Sequence, residues 1–158
     1  MTNEQTALSR RAVACKGWRW MPGMNAAGRL DQDGAHLRLH GVGLTGAGDL
    51  VELRGGAFDW RQRKDGRWLF LRGGDIIGKP SEVLPDLTDA ATLGCLLALV
   101  REAWRCVVVT SPDYDEDEEA RQGPNVTGWR AVETVRWTMV GEGATEAEAL
   151  VAALEGAP

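Results

Sequence analysis

Three segments with helical spacing divide two blocks of glycine-punctuated, alternating sequence, and this order constrains the fold more than any other feature of the chain. Residues 3–15 predict the first helix, with Ala7, Leu8, Ala12 and Cys15 recurring near helical spacing and Gly17 as a left-handed cap. Residues 18–24 predict a compact turn around Pro22-Gly23. Residues 25–56 read as short strands and loops, with alternation over 36–40 and 50–54. The clearest hairpin covers 58–71. Lys64-Asp65-Gly66 turns it; Phe58, Trp60 and Gln62 alternate with Asp59, Arg61 and Arg63, and Trp68, Phe70 and Arg72 return on one face, opposite Arg67, Leu69 and Leu71. Residues 80–89 predict a connector. Thr88 or Asp89 then caps a helix to about Trp104, with Leu93, Leu96, Leu97, Val100 and Trp104 facing in. A short strand over 106–110 leads to an acidic run, 113–119, read as a solvated loop. Alternation from Trp129 to Met139 predicts one half-buried strand. Trp129, Ala131, Glu133, Val135, Trp137 and Met139 lie on its inner face, with Arg130 and Arg136 opposite, free to pair with the acidic run. Thr145-Glu146-Ala147-Glu148 is a capping box that opens the last helix, with Ala149, Leu150, Ala153 and Leu154 facing in. The expected fold is α+β: a mostly antiparallel sheet with N-terminal, central and C-terminal helices packed on it. At 158 residues one domain, 1–158, is expected, with a mobile acidic loop at 113–125.

Tryptophan and arginine adjoin in six places: Trp18-Arg19-Trp20, Trp60-Arg61, Arg67-Trp68, Trp104-Arg105, Trp129-Arg130 and Arg136-Trp137. Indole offers a stacking face and guanidinium a rigid donor fork, a combination suited to a planar anion such as a nucleotide. The expected ligand contacts are Lys16, Trp18, Arg19, Trp20, Arg61 and Arg63. The 16–24 segment carries two Trp, two cations and two Met beside a helix end. Arg61 and Arg63 share a strand face able to grip a phosphate. The competing reading makes Trp18 and Trp20 plugs of the sheet, and Trp60 with Trp68 a packed cross-strand pair. Trp104, Trp129 and Trp137 read as core.

Net charge is −5, which argues against a partner of duplex nucleic acid. No apolar run approaches a membrane span, and the polar start, Met1-Thr2-Asn3-Glu4-Gln5, lacks a signal peptide's apolar region, so a cytoplasmic location and no membrane partner are expected. Cys15, Cys95 and Cys106 form neither a close pair nor a CxxC, and read as small core residues. His36 and His40, at i and i+4 of a strand, stand roughly 13 Å apart and cannot chelate one metal. The acidic run lacks EF-hand spacing, and the sequon at Asn125 carries no meaning in a cytoplasmic chain. No cofactor, metal or catalytic residue is expected, although Asp49 and Asp75 can in principle converge in space.

Three segments resemble those of one group of proteins. The segment 11–24, ending Cys15-Lys16-Gly17-Trp18-Arg19-Trp20-Met21-Pro22-Gly23-Met24, resembles the N-terminus of small uncharacterised proteins encoded by bacteriophages and prophages. The segment 84–104, from Leu84-Pro85-Asp86-Leu87-Thr88-Asp89 to Arg101-Glu102-Ala103-Trp104, is similar to their central helix, and 144–154 to their C-terminal helix. The resemblance implies a phage setting and brings no activity. Small phage accessory proteins often counter host defence, by sequestering a nucleotide signal or by blocking a defence protein. The chain therefore reads as a non-enzymatic binder of a small anionic nucleotide-like ligand. The alternatives are a protein–protein inhibitor or assembly factor acting on a host or phage protein through the aromatic surface or the acidic run, and, third, an enzyme. A homo-oligomer is expected, because the chain has more indole than one small core needs.

Overall fold

The computed structural model describes residues 1–30, 36–39, 42–44, 51–55, 58–62, 68–72, 75–78, 80–114 and 126–158. Within these, helices and antiparallel sheets are segregated along the chain, an α+β fold. The helices are α1 (Asn3–Ala14), α2 (Ala90–Trp104) and α3 (Glu146–Glu155). The strands are β1 (Ala26–Leu30), β2 (His36–Leu39), β3 (Val42–Leu44), β4 (Val51–Gly55), β5 (Phe58–Gln62), β6 (Trp68–Arg72), β7 (Asp75–Gly78), β8 (Pro80–Pro85), β9 (Val108–Tyr114), β10 (Val126–Glu133) and β11 (Thr138–Gly143). Two compact units account for the chain: 1–9 with 20–95, and 10–19 with 96–158.

The first unit holds two sheets. A five-stranded meander runs β3-β4-β5-β6-β7, and its β5–β6 pair places Phe58 opposite Arg72, Trp60 opposite Phe70 and Gln62 opposite Trp68. The pairing confirms a β5–β6 hairpin over the segment whose alternation predicts one. The turn at 64–66 and the acidic loop beyond residue 114 lie outside the described residues. The other sheet runs β2-β1-β8. Its β8 overturns the expected connector: residues 80–85 pair with β1, Ala27 opposite Leu84 and Gly28 opposite Val83. Proline delimits this strand at both ends, and proline is tolerated at the start of an edge strand. Ser9 Oγ donates to Pro85 O at 2.8 Å, and Asp86 N to Asn25 O at 2.9 Å. Thr92 Oγ1 accepts the Asn25 N–H at 2.8 Å, fixing the 20–25 turn, where Gly23 adopts φ +96° and Met24 is buried.

Asp89 caps α2. Its Oδ2 accepts the Thr92 backbone N–H at 2.8 Å, and this bond above all holds its carboxyl below the ordinary range. The buried stripe of α2 is Thr92, Leu96, Leu99 and Val100. It is rotated from the expected face, because Leu93, Leu97 and Trp104 are only half-buried.

The second unit carries a three-stranded sheet, β11-β10-β9, with α3 on one face. The capping box is complete: Glu148 N donates to Thr145 Oγ1 and Thr145 N to Glu148 Oε2, both at 3.2 Å. Ala147, Ala149, Leu150, Val151, Ala153 and Leu154 are buried. Two glycines let α3 lie directly on β11. A Cβ at Gly141 would stand 2.2 Å from Ala149 O, and one at Gly143 would stand 2.3 Å from Glu148 Cβ. Gly17 has a similar role in place of the expected left-handed cap. Its φ is not positive, and a Cβ there would meet Leu154 Cδ1 at 3.2 Å. The last turn of α1 instead tightens through Cys15 N donating to Ala12 O at 3.2 Å.

The single strand expected over 129–139 is a hairpin. β10 ends at Glu133, residues 134–137 turn, and β11 returns with Glu133 opposite Thr138. Trp137 and Met139 are therefore not on an inner face. Trp137 is 76 % exposed and Met139 51 %. Asp113 and Tyr114 belong to β9 and not to a loop. Asp113 Oδ2 accepts from Arg130 Nη2 at 2.5 Å, the pairing of Arg130 with the acidic run that the sequence allows.

Candidate functional site

Of the expected ligand residues, the side chains of Lys16, Trp18, Arg19 and Trp20 lie among those described. Arg19 is exposed, but both terminal nitrogens of its fork donate to Glu102, Nη1 to Oε1 at 2.9 Å and Nη2 to Oε2 at 2.5 Å. This pairing raises the Arg19 pKa and lowers that of Glu102. An anionic ligand would have to displace an internal carboxylate already bound in the geometry it needs. Trp18 and Trp20 are half-buried. Arg61 sits in β5 opposite Glu52 and Leu69, with its side chain outside the described residues, and Arg63 lies outside them altogether.

Lys16 lines a groove among the described residues. This groove, of about 500 Å³, is formed by Arg11, Ala14, Cys15, Lys16, Gly17, Ala103, Leu154, Glu155, Ala157 and Pro158. Its walls combine the charged side chains of Arg11, Lys16 and Glu155 with small ones at Ala14, Gly17, Ala103 and Ala157. Arg11 is held by Glu155 through Nε–Oε1 at 2.9 Å and Nη2–Oε2 at 2.7 Å, and this bond lowers the Glu155 pKa. Cys15 Sγ donates to Arg11 O at 3.3 Å, and burial pushes the thiol upward, away from a reactive thiolate. All three cysteines are free and half-buried.

The β10–β11 turn is the most unusual surface of the second unit. Its form follows from Glu133. This carboxylate is buried, accepting the backbone N–H of Val135 at 2.7 Å and of Arg136 at 2.9 Å. Thr134 N donates to Val107 O at 3.0 Å, tying the turn to the residue before β9. The turn closes on Trp137 at φ 54°, a left-handed conformation that glycine and asparagine adopt readily and a bulky side chain does not. Val135 is 77 % exposed and Val107 56 %. Four apolar side chains, Val107, Val135, Trp137 and Met139, are thus more than half exposed at one end of the sheet. Trp104, Cys106, Glu133, Val135, Arg136, Thr138 and Val140 line a second groove of about 370 Å³. Trp104 is fixed there by Nε1 donating to Ala153 O at 2.8 Å. The sequence carried little signal for this turn, since Thr134, Val135, Arg136 and Trp137 include none of the usual turn residues.

Among the described residues no three His, Cys, Asp or Glu side chains come together to hold a metal, and no helix is long and apolar enough to cross a membrane. No protein-family model matches the chain, and neither a curated protein nor a solved structure is detectably similar to it.

Proposed function

We propose that this chain is a non-enzymatic protein-interaction factor that works by presenting the turn at 134–137 and the adjoining sheet face to another protein. The observation that carries the reading is Trp137: 76 % exposed, at a left-handed position where a smaller residue costs less. Residues held in strained backbone conformations cluster at functional sites. Tryptophan, arginine and methionine, here the exposed Arg136, Trp137 and Met139, are residue types enriched at protein interfaces. The phage setting implied by the segments 11–24 and 84–104 makes the partner a phage or host protein. A photo-crosslinking residue at position 137 tests this in producing cells. A light-dependent protein adduct is expected there and not with the same probe at exposed Glu4. Equal behaviour at both positions overturns the reading.

A second reading, capture of a small anionic nucleotide-like ligand, is favoured by the groove beside Lys16. Its volume of about 500 Å³ lies in the range of small-molecule sites. Lys16 is exposed and has no ion-pair partner among the described residues. Calorimetric titration with nucleoside phosphates should give heat that Lys16→Ala abolishes, with the ligand recovered unchanged by chromatography. Absence of heat removes this reading.

A further inference from the structure

The groove of about 370 Å³ at the 134–137 turn is lined by two opposite charges that do not pair. Glu133 is only 8 % exposed. Each of its oxygens accepts one backbone N–H, from Val135 and from Arg136, and the carboxylate has no cationic partner among the described residues. A carboxylate can accept about four hydrogen bonds, so two N–H groups leave capacity on this buried charge. Burying a charge without an opposite one is costly. Arg136 stands three residues on, exposed, with no ion-pair partner among the described residues. The Arg136 backbone nitrogen is 2.9 Å from Glu133 Oε2, yet the guanidinium forms no ion pair with that carboxylate.

The remaining walls suit an apolar body. Trp104 commits its indole nitrogen to Ala153 O at 2.8 Å, which fixes the ring and leaves it no donor to satisfy. Val140 adds aliphatic surface, and Thr138 adds a hydroxyl that makes no hydrogen bond among the described residues. Both non-glycine residues at positive φ among the described residues border this groove. Arg105, at φ 53°, lies between Trp104 and Cys106, and Trp137, at φ 54°, lies between Arg136 and Thr138; all four neighbours line it. Strained backbone of this kind clusters at ligand clamps. The volume falls at the small end of the range for small-molecule pockets, about 300–1,000 Å³, which suits a compact ligand better than an extended chain.

We propose that this groove is the binding site of a free aromatic α-amino acid. Its ammonium docks on Glu133, its carboxylate on Arg136 and its ring against the Trp104 indole. An α-amino acid carries both charges and an apolar body on one carbon. Charge-assisted hydrogen bonds of about 2.7–2.9 Å at either end let it bridge two protein charges that do not reach each other. A purely anionic ligand would be repelled by Glu133, and a purely cationic one by Arg136; a zwitterion meets neither penalty. The indole face adds stacking for the ring and cation–π attraction for the ammonium. This site goes beyond the protein contact at the turn and does not depend on it.

Calorimetric titration of the full chain with L-phenylalanine and two analogues tests the site. N-acetyl-L-phenylalanine lacks the ammonium and L-phenylalaninamide lacks the carboxylate, and neither requires a change in the protein. Each is expected to bind roughly 10- to 150-fold more weakly than phenylalanine, the range for one hydrogen-bonded contact to a charged group. Arg136→Gln, with circular dichroism unchanged, should weaken phenylalanine by the same factor. It should leave the weaker binding of phenylalaninamide as it is, because that ligand has no carboxylate to lose. A merely structural role for Arg136 predicts that both ligands weaken together. No heat with phenylalanine overturns the proposal. So do analogues that bind as well as the amino acid, or an Arg136→Gln chain that loses both ligands equally. If Arg136→Gln fails to fold, the comparison of the three ligands on the wild-type chain decides alone. The crosslink at position 137 reads the protein contact separately, so the failure of one does not carry over to the other.

Discussion

Gly141→Ala tests the packing of α3 on the sheet most severely. The added Cβ would lie 2.2 Å from Ala149 O, 2.6 Å from Ala153 N and 2.9 Å from Ala153 Cβ. Carbon–oxygen contacts settle at about 3.3 Å or more, so α3 and β11 must separate by about 1 Å. Two of the three obstacles are backbone atoms, and no rotamer change relieves them. The helix contributes six buried side chains, and tilting it loosens contacts well beyond residue 141. Overpacking costs about 1–3 kcal/mol where side chains yield, so this substitution belongs at or above the top of that range. Its expected cost is about 3 kcal/mol, a fall of about 6–12 °C in melting temperature for a chain of this size. Gly94→Ala is the matched control. It sits inside α2 with nothing within 4 Å of the new Cβ, and should stabilise by about 0.5–1 kcal/mol. Thermal and urea unfolding of the two variants should diverge in opposite directions. A Gly141→Ala protein that melts with the wild type would refute the close approach of α3 to β11.

Three further outcomes follow from single bonds. Thr145→Ala removes the hydroxyl half of the capping box and should cost about 0.5–2 kcal/mol in urea unfolding; an unchanged midpoint would mean the box is replaced by solvent. Arg19→Ala should leave the melting temperature unchanged, because its pair with Glu102 is more than half exposed on both sides, and a drop of many degrees would show that the pair anchors the 16–24 segment. Asp89 and Glu155 have lowered pKa values, so in acid the unfolded chain binds protons that the native one does not. Their contribution is complete above the unfolded carboxyl range of about 3.9–4.3 and is lost as pH falls through the folded values. Asp89→Ala with Glu155→Gln should flatten the acid limb of a stability–pH profile, and an unaltered limb would assign it to other carboxylates.

Elements with strong local chemistry were legible in the sequence. The 58–71 hairpin follows from its alternation, α2 from Asp89 and the apolar spacing behind it, and α3 from the Thr145–Glu148 box. What failed was local chemistry that the fold overrides. Pro80 and Pro85 disguised β8, though both stand at the ends of an edge strand. The 129–139 pattern kept its alternation through a turn lacking glycine, proline, asparagine and aspartate. Only its length, 11 residues where strands usually have five or six, argued against one continuous strand. Arg19 looked like a free ligand fork because its partner, Glu102, is 83 residues away in the chain. Arg11 likewise finds its carboxylate, Glu155, 144 residues away. A guanidinium beside an indole is ambiguous until the position of the nearest carboxylate is known.

Trp137 is where sequence preference and structure disagree most, and that disagreement can be measured. A left-handed non-glycine residue costs about 1–2 kcal/mol, less for asparagine, whose short side chain bonds locally. Trp137 recovers little of this by burial, since three-quarters of its surface is exposed. If the indole serves folding, Trp137→Asn must destabilise. If it serves docking, the variant should gain about 0.5–1 kcal/mol in the dissociated chain and lose association at the same time, the trade expected when a strained residue is kept for function. Melting of the isolated chain reads the first quantity, and the yield of protein adduct from a photo-crosslinking residue at the adjoining Val135 in producing cells reads the second. An isolated Trp137→Asn chain that melts lower would place the indole in the folding of the turn, and would remove the observation on which the interaction surface rests.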